Sequence, residues 1–251
     1  MATGRRCRLN RASQTETVVK FPVLIRLRLV FLAVAVLASG CATIQQPLPL
    51  SNTAVSTGAT VAVAMTPLPA PDLLLPGADC LLCIAAAVAT NSTLNAYAKT
   101  LPRDDVATFK DDIAAALRTW GAEVSVIKED LLLANLKPSS GGTPNLATLD
   151  FTALRAQYKV DRLLVVEVAA LGMIRPYASY IPTGAPKALI RGRAYLVNLT
   201  NNAYEWFKPF EVQKASDGEW SEPPKFPGLT NAYFQVIELS KDELVTTLTK
   251  K

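Results

Sequence analysis

The chain has 251 residues and a mass of 27.0 kDa, with 50% hydrophobic and 19% charged residues, enough for one domain with a substantial core and too little for two large ones. It contains no histidine, which excludes Ser-His-Asp and Cys-His catalysis and every histidine-ligated metal site. The net charge of +5 misleads about partners, because residues 1–40 hold seven of the 26 Lys and Arg residues but only one of the 21 acids, Glu16. Residues 41–251 therefore carry 19 basic and 20 acidic side chains, and no nucleic-acid footprint is expected on them.

After the basic stretch come twelve uncharged residues, 29–40, and then Cys41. That length suits a signal-peptide core and falls short of the roughly 20 residues a spanning helix needs. Leu37-Ala38-Ser39-Gly40-Cys41 resembles the bacterial lipobox, with Ala38 where leucine is more usual. The resemblance implies cleavage before Cys41 and acylation of both its thiol and the new amine. Three acyl chains, at about 0.8 kcal/mol per buried methylene, anchor permanently. Ala42 in place of Asp implies sorting to the outer membrane, with the body facing the periplasm. Residues 42–58 are uncharged and rich in Ala, Ser, Thr, Gln and Pro, a composition expected to stay flexible. The expected organisation is a signal peptide over 1–40, a lipidated cysteine and flexible tether over 41–58, and a periplasmic domain over 59–251.

Residues 60–66 form a short apolar run ended by Pro67, Pro69 and Pro71, as a buried strand would be. Asp79 is expected to cap a helix running to about residue 99. The unbroken apolar stretch 81–88 also fits a strand, and periodicity alone does not separate the two. Val106, Phe109, Ile113, Ala116, Leu117 and Trp120 recur at spacings of three and four, predicting an amphipathic helix with Pro102 in its first turn and Gly121 past its end. Residues 123–128 alternate as a half-buried strand, 150–159 read as a helix, and 162–170 as a central strand of near-continuous apolar residues. Residues 188–199 and 203–213 flank the turn pair Asn201-Asn202 and predict a hairpin. A last helix over 229–248 places Tyr233, Val236, Ile237, Leu244 and Leu248 on one face. The predicted fold class is α/β, a single domain with a mixed sheet of about five strands ending in an antiparallel hairpin and packed by three to four helices.

This order resembles the small α/β domain of the TolB N-terminus and of CsgG-like and LpoB-like envelope lipoproteins. The segments 61–67, 111–127, 158–168 and 194–206 carry the resemblance, which spans roughly residues 60–214. Members of those families assemble envelope machinery, form secretion pores or activate peptidoglycan synthases through contacts with other macromolecules. The resemblance thus implies a binding role without fixing which one.

Cys80 and Cys83 form the sharpest chemical feature. In an oxidising compartment the pair reads as a structural disulfide, with buried free thiols or thiol redox activity as alternatives. Two cysteines without histidine do not make a zinc site. Asp104, Asp105, Asp111 and Asp112 fit a solvated helix face, the first pair favoured by the macrodipole. Ser139, Ser140, Gly141 and Gly142 lack the lysine of a phosphate loop. Two proline-rich loops carry anchor-type residues: Arg175, Tyr177 and Tyr180 in 175–187, and Trp220 and Phe226 in 220–228. They are candidates for a partner-binding surface, the alternative being that they fold back over a sheet face or edge. The expected function is that of a membrane-anchored periplasmic lipoprotein acting as a non-catalytic binding or assembly module, without cofactor or metal. Its expected partner is an envelope protein or peptidoglycan-associated machinery, with homo-oligomers allowed. The alternatives are a thiol–disulfide oxidoreductase using Cys80 and Cys83, and an oligomeric secretion-pore subunit. Arg191, Arg193, Glu205 and Lys208 argue against the predicted hairpin spanning a membrane.

Overall fold

A computed structural model describes residues 45–140, 145–222 and 225–250; the predicted leader and Cys41 lie outside these. Strands β1 (Thr60–Met65), β2 (Asp72–Leu74), β3 (Glu123–Val126), β4 (Arg162–Ile174), β5 (Tyr177–Ala178), β6 (Ile181–Pro182), β7 (Lys187–Asn198) and β8 (Ala203–Ala215) are joined by six helices. These are α1 (Leu81–Thr90), α2 (Ser92–Ala98), α3 (Asp104–Ala107), α4 (Phe109–Arg118), α5 (Leu154–Tyr158) and α6 (Pro227–Leu248).

The main sheet runs β3-β1-β4-β7-β8, with β2 also paired to β4. β1 lies parallel to both β3 and β4, and β7 pairs antiparallel with β4 on one side and β8 on the other. Five of the six residues of β1 are buried, because successive side chains on a strand point to opposite faces and both faces are covered. Val61, Val63, Leu164 and Leu196 point to one core, closed by α4 and α6. Ala62, Ala64, Leu163 and Tyr195 point to the other, closed by Phe151, Leu154 and Leu131. The fold is thus a single α/β domain with a mixed sheet, as the sequence predicts. The short sixth strand, β2, sits in the proline-rich turn after β1.

The predicted helix through Val106 and Trp120 is divided at Thr108, whose hydroxyl donates to the Asp105 carbonyl at 2.7 Å and so competes with helix bonding. Pro102 precedes this helix and does not occupy its first turn. β4 extends four residues beyond its expected end. The helix expected over 150–159 shortens to α5, because the Asp150 carboxylate caps a local turn at the Thr152 N–H and hydroxyl. α6 begins with Pro at a first-turn position, and all five of its predicted inward residues are buried. Asn202 adopts a positive φ of 58° in the hairpin turn. Its side chain also accepts from the Phe151 N–H at 2.9 Å and donates to the Leu149 carbonyl at 2.9 Å.

Within the segment expected to be a flexible tether, residues 48–55 touch the domain at Leu48, Ala54 and Val55. Leu48 and Phe207 exchange two backbone hydrogen bonds, at 2.9 and 3.0 Å. Ala54 and Val55 are buried in the main core. β8 is an edge strand with unpaired backbone groups, and a charge-free segment can cover it at little desolvation cost. A chain beginning at Ala59 should therefore unfold in urea with about 2–4 kcal/mol less stability than one beginning at Gln45; a tether that touched nothing would give equal midpoints.

Candidate functional site

α1 has the sequence LLCIAAAVAT. A helix apolar around its whole circumference belongs inside a core or a membrane. In this fold only Cys83 and Ala87, one turn apart, face inward. They pack with Ala78, Leu75 and Tyr177 in a small cluster separate from both cores. The rest of α1 faces outward: Leu81 is 87% exposed, Leu82 82%, and Ile84 and Val88 are exposed as well. The β5–β6 hairpin adds exposed Tyr180 and Ile181. Its turn is tied back by the Ser179 N–H donating to the Gly77 carbonyl at 3.0 Å, three residues before Cys80. Gly77 has φ +85°, and a Cβ there would collide with the Tyr177 backbone, so glycine is needed at this crossing.

The N-cap of α1 is Cys80, not the predicted Asp79: the Cys83 N–H donates to the Cys80 sulfur at 3.0 Å. The two sulfurs stand at disulfide distance, with Cα atoms 4.9 Å apart. Cys80 is exposed and Cys83 buried.

The single helix expected to about residue 99 is broken at Asn91, where α1 and α2 meet at 78°. Asn91 is buried, and its side chain explains the break. Its amide nitrogen donates to the Ala87 carbonyl at 2.7 Å and to the Tyr177 hydroxyl at 2.6 Å. Its amide oxygen accepts from Arg175 Nη1 at 2.7 Å. Arg175 in turn donates to the Gly184 carbonyl at 3.3 Å, and its guanidinium lies 4.8 Å from the centre of the Trp220 ring. Leu94 and Ala98 anchor α2 in the main core, so the bend separates a built-in helix from a presented one. Among the described residues no single helix is long and apolar enough to cross a membrane.

Cys80, Cys83, Arg175, Tyr177 and Trp220 are thus gathered around one substructure, but in a different role from the one expected of the loop residues. Tyr177 is buried against α1, and Arg175 and Trp220 stack half-buried behind it. Phe226 is buried in the main core, 5.4 Å from the Tyr97 ring, turned inward by a left-handed backbone (φ 45°) before α6. Of the five loop residues expected as candidates for a partner surface, Tyr180 is openly exposed and the other four fold back against the domain, the alternative that the sequence leaves open. Leu81, Leu82, Ile84, Val88 and Ile181 form the exposed apolar surface and escape motif reading. Their signal is present in the sequence, since 81–88 read as a helix leaves no polar side to face water.

Two other clusters hold charge without forming a reactive site. Glu167 accepts from Arg193 at 2.8 and 2.9 Å, beside Tyr195, whose phenol is pushed well above its ordinary range by burial and then by the Glu167 charge. Asp104 and Asp105 lie exposed in the first turn of α3. No group of three or more Cys, Asp or Glu side chains suited to a metal ion occurs among the described residues.

No family model matches the sequence, and no curated protein is similar to it. Among solved structures, the chain is similar to a subunit of the PelC dodecamer from Paraburkholderia phytofirmans, at 10% identity over 82% of this chain and 95% of that one, with a TM-score of 0.35. It is similar to protein XCC0632 from Xanthomonas campestris, at 13% identity, 81% and 93% coverage, and a TM-score of 0.37. Lipoprotein GNA1162 from Neisseria meningitidis aligns at 12% identity, 74% and 99% coverage, and a TM-score of 0.30. At these identities and scores the likeness extends to no residue of the site.

Replacing Asn91 with Ala strands Arg175 and Tyr177 beside a buried gap and should lower stability by about 1–3 kcal/mol. In a double-mutant cycle with Arg175→Ala the two losses should fall short of additive by at least about 0.5 kcal/mol; additive losses would mean that no network joins them.

Proposed function

We propose that this chain is an envelope-anchored, non-catalytic docking module that presents α1 and the β5–β6 turn to another macromolecule. The observation that carries this reading is the exposure of Leu81, Leu82, Ile84 and Val88 on a helix whose base is fixed by buried polar bonds. Contiguous exposed apolar surface on a soluble domain marks an interaction site. Fixing it in advance reduces the entropy lost on docking. The anchor belongs to the same proposal: residues 1–40 act as a signal peptide and Cys41 as the acylated residue. The body lies in the periplasm, held to the outer membrane. Cys80 and Cys83 form a structural disulfide that closes the first turn of α1.

A photo-reactive side chain at Leu82 in the full-length protein should give discrete adducts in cells, and the same group at Glu129, an exposed position outside the apolar surface, should give none. Equal, diffuse labelling at both positions would contradict docking through α1. For the anchor, Cys41→Ala should abolish labelling by a fatty-acid probe and release the protein from the membrane fraction.

A second reading, thiol–disulfide exchange, is favoured by one observation. Cys80 is exposed at a helix N-terminus with a backbone N–H on its sulfur, an arrangement that stabilises a thiolate. The two readings separate on differential alkylation in cells. A pair oxidised in every molecule favours the structural disulfide, and one that cycles with the redox poise, with Cys83→Ser trapping mixed disulfides, favours exchange.

A further inference from the structure

The sheet ends on a strand whose outer edge is partly open. β8 pairs with β7 on one side only. Its first part is covered from outside by the chain itself: Leu146 bridges Ala203 and Leu48 bridges Phe207, both in antiparallel sense. Phe207 uses both its N–H and its carbonyl on Leu48, so its backbone points outward, and along a strand every second residue does the same. The next outward positions are Pro209, Glu211 and Gln213, all exposed. Pro209 fits that assignment, since a proline in a sheet stands where its missing N–H would have faced away from the ladder. Among the described residues no backbone hydrogen bond reaches the outer edge at Pro209, Glu211 or Gln213.

Beside this open edge lies an apolar hollow. α6 runs back along β8, with Glu243 pairing with Lys208 at 2.6 Å. Phe234, Gln235, Glu238, Leu239 and Asp242 of α6 and Lys214 of β8 line a hollow of about 440 Å³, in which Phe234 and Leu239 are exposed. The even-numbered side chains of β8 lie on this side of the sheet, since Phe210 belongs to the core that α6 closes. A strand added to the edge would turn alternate side chains toward the hollow. The α6 side of the lining is acidic. Glu238 is held by Lys241 at 2.7 Å, while Asp242 makes no salt bridge among the described residues. On β8 itself Lys214 is 3.4 Å from Asp217, and Glu211 pairs with Arg191 at 2.6 Å, so the edge meets an incoming strand with its own charges compensated.

We infer that β8 and α6 form a groove for an extended segment of another protein. That segment adds a strand to the β8 edge over 209–213, seats an apolar side chain on Phe234 and Leu239, and places a Lys or Arg beside Asp242. This surface is separate from α1 and does not depend on docking through it. The chemistry fixes the occupant: a polypeptide offers N–H and C=O groups at strand spacing to match the open edge. A lipid surface would leave those groups without partners, and the acidic lining repels the phosphates of headgroups or nucleic acid. The bridge at Leu48 shows the same edge accepting an antiparallel segment two residues before Pro209, so the groove continues a contact that the fold already uses.

The test uses the full-length protein, immobilised from detergent, and a displayed library of random peptides of about ten residues, the upper length of ordinary strands. Selected peptides should alternate apolar residues, carry Lys or Arg at a constant offset from one of them, and bind with Kd below about 100 µM. Methylating the alternate backbone nitrogens that face β8 should weaken binding about tenfold or more, and methylating the other set should not. Gln213→Pro removes an outward N–H and no bond to β7, and should weaken binding to a similar extent. Asp242→Lys should shift the selected charge from basic to acidic, and Leu82→Asp should leave peptide binding unchanged. Because methylation leaves the protein unaltered, it decides the outcome even where Gln213→Pro perturbs the fold. No selected peptide below that limit, or binding indifferent to which nitrogens are methylated, would overturn the proposal. Binding lost with Leu82→Asp would overturn it in favour of α1. A dimer that Gln213→Pro dissociates, with no peptide selected, would overturn it in favour of pairing between two copies, and neither result touches the α1 reading.

Discussion

The presented surface depends on one buried side chain. Asn91 satisfies three partners at once: the carbonyl that ends α1, the hydroxyl of Tyr177 and the guanidinium of Arg175. A buried polar group is costly unless its bonds are made, and here every bond it makes fixes a different piece of backbone. One ends α1, one seats the strand that becomes β5, and one holds the chain leaving β4. Remove these constraints and an apolar ten-residue helix has only Cys83 and Ala87 to hold it, far less buried area than helices normally rely on. The cysteine pair works at the other end of the same helix, closing its first turn. α1 is thereby bounded by polar bonds at one end and by a cysteine pair at disulfide distance at the other, with only Cys83 and Ala87 buried between them.

That division of labour explains why the described residues form three apolar clusters of unequal size. The two cores on either face of the sheet are assembled from strands whose alternation sends Val61 and Val63 one way and Ala62 and Ala64 the other. The first is closed by the inward faces of α4 and α6, and the second by Leu131 and Phe151 from connecting segments and Leu154 of the short α5. The third, around Tyr177, is too small to stabilise an independent unit and survives because β2 and β4 extend the sheet beneath it. α2 belongs to the large core and α1 to the small one. The 78° bend between them is the point where the chain stops burying apolar surface and starts displaying it.

Much of the fold was legible in the sequence because it depends on local periodicity. The stripe of α6, the continuous apolar run of β4 and the turn at Asn201-Asn202 each carry their own signal. The site was less legible for a physical reason. Nothing in the run 81–88 says whether its apolar side chains face a core or solvent, since that is decided by Gly77, Asn91 and Tyr177, the last of them 86 positions from its partner Asn91. Tyr177 and Arg175 read as exposed anchors because prolines surround them, yet they are the residues that brace the exposed helix. Residues 48–55 read as a tether because they lack charge and periodicity, and that same neutrality lets them lie against the edge of β8.

The central claim is that polar and covalent constraints, rather than burial, hold α1 in its outward position. Amide hydrogen exchange over residues 84–91, compared between the unaltered protein, its reduced form and Asn91→Ala, tests it most directly. The account predicts slow exchange in the unaltered protein, a loss of protection of at least about tenfold on reduction or on substitution, and unchanged protection in β4 in all three. Protection in α1 that survives both changes would contradict it.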